Sequence, residues 1–419
     1  MDHNRNPAGR NQYAACPPAS DPVLAEALRT YHRELLSSNN KIARRLKADH
    51  GIEMHPNTVK KRRKELGLSS SGKTAKTLSM GTAEQLVARE LEDDPHQRLG
   101  IRTVQHRIAF NSGVHVRRDS VSEIMHTHVP EGFEKRMPTT TKILRHPKHP
   151  IGIHERWSAD GHDKLYSIGF PVWAVVDDAT SKWLGAWIVP SNRLGVIIAY
   201  CFLDVVEKFQ GLPLQFTTDC GSETTKVYGL VNALRENYHP EYQGLAPHVY
   251  LRSVHNITIE RSWLRLRLDW GDTAVYFFNK GIEEGRYDDQ DPDQHELCQW
   301  LWSKLLRQEL QHVVDMRNSQ RMRKDRTKFG PSGMSRNEAF SLPQDWGGRN
   351  CLLPIDVNII RDLKQELGGD QLLDFTSAEF SARAQVAYDS LQITKLTFQN
   401  AWDVFNAMLP LVFGERQWP

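Results

Sequence analysis

No apolar run in the 419 residues approaches the roughly 18 needed for a membrane-spanning helix, and the first residues carry no apolar leader-like segment. Cysteine is scarce as well. Cys16, Cys201, Cys220, Cys298 and Cys351 are odd in number and scattered, without CxxC or Cys/His spacing, so neither a disulfide framework nor a zinc module is indicated. The low hydrophobicity and high charge of disordered chains are also missing: 39% of residues are hydrophobic and 25% charged. A folded intracellular protein with no membrane partner is expected, with two to four domains for this length.

What is present is unevenly distributed. The net charge is only +3, yet residues 1–150 hold 26 Lys and Arg against 16 Asp and Glu, and the remainder holds 28 against 35. A basic segment joined to an acidic one suits a module that meets a polyanion attached to one that holds cations. A solvated basic surface with no partner is the plainer alternative.

The basic part reads as helical. Residues 1–21 are polar and form an expected tail. Over 22–68, Leu24, Leu28, Tyr31 and Leu35 recur at helical spacing, followed by Ile42, Ala43 and Leu46, a turn at Gly51, and a segment from Thr58 to Leu66 with Asn57 as its expected N-cap. This is a helix-turn-helix pattern. Its last helix carries Lys60, Lys61, Arg62, Arg63 and Lys64, which would enter a major groove or serve as a nuclear address; a three-helix bundle with a basic exposed face fits the same pattern. Ser69 to Lys76 reads as a linker. A second helix-turn-helix-like module is expected over 82–132, with helices at Ala83–Leu91, Thr103–Phe110 and Ser120–His126, a turn at Asn111-Ser112-Gly113, and Arg117-Arg118 placed to contact DNA. Phe133 to Pro150 reads as another linker.

Composition changes at Ile151. Strands are expected at His154–Asp160, Pro171–Val176 and Trp183–Val189, then a helix at Leu194–Phe209, a strand at Leu214–Thr218, a helix at Thr224–Glu236, a strand at Val249–Leu251 and a helix at Asn256–Asp269. The order β-β-β-α-β-α-β-α is that of a ribonuclease H-like α/β core, a mixed five-stranded sheet flanked by helices, over 151–330. Ligands in such sheets gather at strand ends. Asp160 ends the first strand, Asp219 follows the fourth, and Glu260 lies in the helix after the fifth. Taken singly each has a plain explanation: an aspartate before glycine forms turns, Asp219 caps a helix, and Glu260 is an exposed helix residue. Asp163 and Asp177 are the rivals, read as structural because one lies past the strand end and the other precedes a turn.

Four stretches, Trp157-Ser158-Ala159-Asp160-Gly161-His162-Asp163-Lys164-Leu165, Val176-Asp177-Asp178-Ala179-Thr180-Ser181-Lys182, Thr218-Asp219-Cys220-Gly221-Ser222-Glu223 and His255-Asn256-Ile257-Thr258-Ile259-Glu260-Arg261-Ser262-Trp263, resemble the integrase core domain proteins of eukaryotes, within the retroviral integrase and DDE transposase superfamily. The resemblance runs from about residue 100 to about 340. Two departures stand out: the 41 positions from Asp219 to Glu260 exceed the retroviral spacing, and helix-turn-helix units replace the retroviral zinc module.

The resemblance implies Asp160, Asp219 and Glu260 as catalytic ligands of two Mg²⁺ ions, or Mn²⁺, with Asp160 bridging and the others completing one site each. Such a pair serves in-line phosphoryl displacement, and hard cations want carboxylate oxygens. It implies cleavage of a DNA strand by water, then joining of the freed 3′-hydroxyl to target DNA. Asn256, one turn before Glu260, is expected to contact DNA or orient the carboxylate, Arg261 to meet phosphate, and Trp263 to pack against the sheet. A helix at Pro292–Met316 and a basic run at Arg317–Lys328 follow, then an apolar-faced helical C-terminal region at 342–419, with helices at Val357–Leu367 and Ala378–Leu411, suited to packing or self-association. Expected partners are element ends, target DNA and further copies of the chain; the expected location is the nucleus. A non-catalytic DNA-binding protein that keeps the fold, and a simple nuclease, remain the alternatives.

Overall fold

Helices open the chain in two groups of three, each built on the apolar spacing that the sequence displays. In the computed structural model, which describes residues 16–135, 149–251, 256–325, 327 and 329–414 and leaves the side chains of 134, 135, 163, 164 and 166 outside that description, the first group is α1 (Pro22–Arg33), α2 (Asn39–His50) and α3 (Pro56–Glu65). Leu24, Leu28, Tyr31, Ile42, Leu46 and Val59 are buried together between them. Asp21 caps α1 by accepting from the Leu24 amide at 2.8 Å, and Gly51 ends α2 at φ 67, a left-handed conformation that glycine adopts without strain. The expected Asn57 cap is corrected: Pro56 opens α3, and His55 Nδ1 accepts from the Asn57 amide at 3.2 Å.

Ser71–Thr77 forms a short helix α4 where a linker was expected. The second group comprises α5 (Met80–Glu92), α6 (Ile101–Ser112) and α7 (Arg118–His128), around Val87, Val104, Ile108, Val121 and Met125, and α8 (Pro130–Lys135) follows. Residues 1–15 of the expected tail and 136–148 of the expected linker lie outside the described residues.

The two groups form one compact unit rather than two beads, made of residues up to Glu92 together with Leu99–Met137. His32 from the end of α1 stacks on His115, ring centroids 3.8 Å apart and planes 17° from parallel. Each ring also bonds the other group's backbone: His32 Nε2 lies 3.1 Å from the Gly113 carbonyl and His115 Nε2 2.8 Å from that of His32. Burial pushes both imidazoles down, His32 to about 4, so the stack consists of neutral rings.

The second unit is Asp93–Arg98 with everything from Pro138 onward. It contains β1 (Gly152–Ile153), β2 (Arg156–His162), β3 (Val172–Asp177), β4 (Trp183–Ile188), α9 (Gly195–Phe209), β5 (Gly211–Leu212), β6 (Gln215–Thr218), α10 (Thr225–Tyr238), β7 (His248–Tyr250), α11 (Ile257–Leu266), α12 (Asp272–Glu283), α13 (Pro292–Ser319), α14 (Arg336–Ser341), β8 (Arg349–Asn350), β9 (Leu353–Pro354), α15 (Val357–Leu367), α16 (Ala378–Ser390) and α17 (Ala401–Phe413). Five strands form a mixed sheet in the order β4-β3-β2-β6-β7, with antiparallel pairing from β4 to β2 and parallel pairing from β2 to β7. The flanking helices complete the ribonuclease H-like core.

Alternation along β2 divides the sheet into two faces. Trp157 and Ala159 join the α9 and α10 side, with Ile198, Phe202, Val206 and Val227. On the other face Ala174 and Val176 of β3 meet Ile259 and Trp263 of α11, then Leu301, Trp302 and Leu305 of α13. Asn318 of α13 secures edge strand β4, accepting from the Trp183 amide and donating to its carbonyl, both at 2.9 Å.

Two helices depart from expectation, and the C-terminal region packs on the core. The helix expected to stop at Asp269 passes through a π-helical turn, Arg267–Gly271, into α12. The helix expected over Ala378–Leu411 is two helices. The C-terminal region is built into both faces, because α15 packs with α9 while Phe380, Trp402 and Phe405 complete the α13 side. Among the described residues no helix is long and apolar enough to cross a membrane.

Candidate functional site

Strand register brings the first two carboxylates together. Ser158 of β2 is level with Thr217 of parallel β6, and Asp160 and Asp219 each lie two residues beyond that pair, Asp219 directly after its strand. Asp160 sits opposite Ala174 and shares its face, the one that α11 covers. Glu260 stands in the first turn of α11. Thus two neighbouring strand ends and one overlying helix converge.

Electrostatics records that convergence. Asp160 is raised to about 7, first by burial and then by the charges of Asp219 and Glu260. Glu260 is raised too, by burial and then by Asp219. Neighbouring negative charge makes Asp160 and Glu260 harder to ionise, which is the condition a bound cation relieves. The donors are all hard carboxylate oxygens, and the set fits a divalent ion of the Mg²⁺ class by its chemistry. As they stand, no three His, Cys, Asp or Glu among the described residues are close enough to ligate one ion.

Trp263 does more than the packing expected of it. Its indole Nε1 donates to Asp160 Oδ2 at 3.1 Å, while Oδ1 accepts from the Gly161 amide at 2.9 Å. His162 lies flat against the indole, centroids 4.8 Å apart and planes 7° from parallel, and Trp183 meets it edge-on. The spacing Glu260-x-x-Trp263 carried the signal: residues three apart share a helix face, so a tryptophan there reaches the strand that the glutamate approaches.

Asn256 is corrected as a DNA contact. It is 3% exposed, and its amide reaches the Ala159 carbonyl at 3.5 Å, holding the start of α11 against β2 beside Asp160. Asp177 is structural, as read: wholly buried, it accepts from the His154 and Thr180 amides and the Thr180 hydroxyl, and burial raises it to about 6. The Asp163 side chain and His255 lie outside the described residues.

The basic residues fall into two sets. Lys60, Lys61 and Lys64 of α3 are exposed, as are Arg117, Arg118 and Arg261. Arg62 and Arg63 turn back onto the protein: Arg62 donates to the Pro17 carbonyl at 2.9 Å and to Glu65, and Arg63 to the Ser37 carbonyl at 3.1 Å and Asn39 Oδ1 at 2.7 Å. These bonds tie α3 in place. In the run after α13, Arg321, Arg323 and Lys324 are exposed, and Arg326 and Lys328 lie outside the described residues.

Compared with known protein families, residues 151–338 match the one described as integrase core domain. No curated protein matches the chain.

Proposed function

Residues 151–338 match the integrase core domain family, and from that match we propose that the chain is a DNA strand-transfer enzyme with Asp160, Asp219 and Glu260 as its catalytic carboxylates. The observation that carries the proposal is the parallel pairing of β2 with β6, which leaves Asp160 and Asp219 each two residues beyond the Ser158–Thr217 pair, with Glu260 in the first turn of α11. Two Mg²⁺ or Mn²⁺ ions held by these residues would supply charge neutralisation at the phosphate and acidify an attacking hydroxyl.

The protein's own groups orient and hold. Trp263 and the Gly161 amide fix the two oxygens of Asp160 in direction. Asn256 sets the start of the helix that presents Glu260. In the first step a water oxygen bonds to phosphorus, the bond from phosphorus to the 3′-oxygen breaks, and that oxygen leaves with a proton as a 3′-hydroxyl. In the second step the new hydroxyl oxygen bonds to a target phosphorus, and a target 3′-oxygen leaves and takes a proton. Exposed Lys60, Lys61, Lys64, Arg117 and Arg118 in the helical unit would meet DNA backbone, and Arg261 would do so beside the site. A nuclear location, addressed by the Lys60–Lys64 cluster, and a multimer that pairs two DNA ends belong to the same reading.

Incubation of the purified chain with terminal DNA of its own element and Mg²⁺ tests it. Wild type should nick and join strands, whereas Asp219→Asn should bind the DNA and do neither. Wild type that binds without nicking sinks the enzyme reading. One observation favours a non-catalytic DNA-binding protein instead, namely that no three potential ligands among the described residues stand close enough to share an ion. On that reading Mg²⁺ leaves the thermal stability of wild type and Asp219→Asn alike.

A further inference from the structure

Where α13 ends, Arg317 and Arg336 lie together, the first paired with a carboxylate and the second bonded to the first one's backbone. Arg317, in the last turn of α13 and 9% exposed, is paired with Asp269 of the π-helical turn. Arg336, at the start of α14, donates through one terminal nitrogen to the Arg317 carbonyl at 2.9 Å. Arg265, on the exposed face of α11 and four residues after Arg261, adds a third positive charge near enough to act on Arg336. Nε of both Arg317 and Arg336 is buried without a hydrogen-bond partner.

Such an arrangement is expensive when empty. A buried charge is tolerated when paired, and an orphaned guanidinium nitrogen loses the full hydration of that group. Here Asp269 answers Arg317, while Arg336 bonds the Arg317 carbonyl. Burial and then the like charge of Arg317 push the Arg336 guanidinium down to about 9; Asp269 opposes them, and Arg265 adds a smaller push in the same downward direction. Arg336 nonetheless keeps part of its surface open to solvent, so the cluster is reachable. Guanidinium forks match the oxygens of a phosphate, which accept several charge-assisted bonds at once.

We propose that Arg265, Arg317 and Arg336 form a phosphate-binding site, distinct from the three-carboxylate centre, that takes a tetrahedral phosphate dianion or a phosphodiester of nucleic acid backbone. The site does not depend on strand transfer or on divalent metal. Its position on α11, beyond Arg261, would let one strand of DNA run from the carboxylates toward α14.

The test uses the full chain in EDTA, so that the carboxylate centre cannot contribute. Titration calorimetry with inorganic phosphate, at ionic strength matched with chloride, should show binding to wild type. Arg265→Gln, an exposed substitution that leaves the packing alone, and Arg336→Met should each weaken it about tenfold, the effect of one charged contact. Duplex DNA that displaces the phosphate identifies backbone as the natural source; phosphate retained against DNA identifies a free phosphoanion, and either result keeps the site. Phosphate that binds Arg265→Gln and Arg336→Met as tightly as wild type, or fails to bind wild type beyond chloride, overturns it.

Discussion

The indole nitrogen of Trp263 donates to Asp160 Oδ2 at 3.1 Å, joining the helix that bears Glu260 to the strand that bears Asp160. Removing that donor leaves a half-oriented carboxylate in a buried, negatively charged place. Trp263→Phe keeps the ring and its stack on His162, so the fold should persist while affinity for Mn²⁺ falls about tenfold or more, as when an outer partner of a ligand is lost. Calorimetric Mn²⁺ affinity unchanged in the variant would remove Trp263 from the site's design.

The division between exposed lysines and inward-turned arginines on α3 predicts opposite phenotypes. Lys60→Gln with Lys61→Gln should weaken duplex binding and lower the slope of log affinity against log salt by about 2, leaving thermal stability unchanged. Arg63→Gln loses bonds to the Ser37 carbonyl and Asn39 and should instead lower the melting temperature. Equal salt slopes in wild type and the double variant would take α3 off the DNA.

The stacked histidines make the helical unit acid-sensitive. His32 is pushed down to about 4 in the fold and returns to its ordinary value near 6.5 on unfolding. Between those values the unfolded chain binds the extra proton, so this contribution is complete above pH 6.5 and is lost as pH falls toward 4. The loss is on the order of 3 kcal/mol for a shift of this size. His32→Gln should flatten the decline of melting temperature over that range; a wild-type profile equally flat contradicts the stack of neutral rings.

Gly281 carries α12 against the Trp402 ring, and a Cβ there would stand 2.1 Å from the indole. Gly281→Ala gains helix propensity yet must displace a buried tryptophan. A net loss of about 1–3 kcal/mol is expected from overpacking. Denaturant unfolding that shows the variant equal to or more stable than wild type would mean that the contact yields freely.

Periodicity and composition alone determined much of this protein. The 3.6-residue recurrence of Leu24, Leu28 and Tyr31, and the apolar runs read as strands at Pro171–Val176 and Trp183–Val189, state their own conformation, because each segment must bury one face. The order of strands and helices then restricts topology, and it placed Asp160, Asp219 and Glu260 at two strand ends and on one helix.

Tertiary structure decided what depends on partners distant in sequence. Arg62 and Arg63 read the same as Lys60 and Lys61 until backbone carbonyls at Pro17 and Ser37 claim them. The C-terminal helices read as suited to packing or self-association, and only the tertiary structure shows Trp402 and Phe405 completing the α13 face of the core. Trp263 read as packing because an indole buries equally well with or without a carboxylate at its nitrogen. The Glu260-x-x-Trp263 spacing puts the indole on the glutamate's side of the helix, but its bond to Asp160, 103 positions away, is set by the register of a strand against a helix.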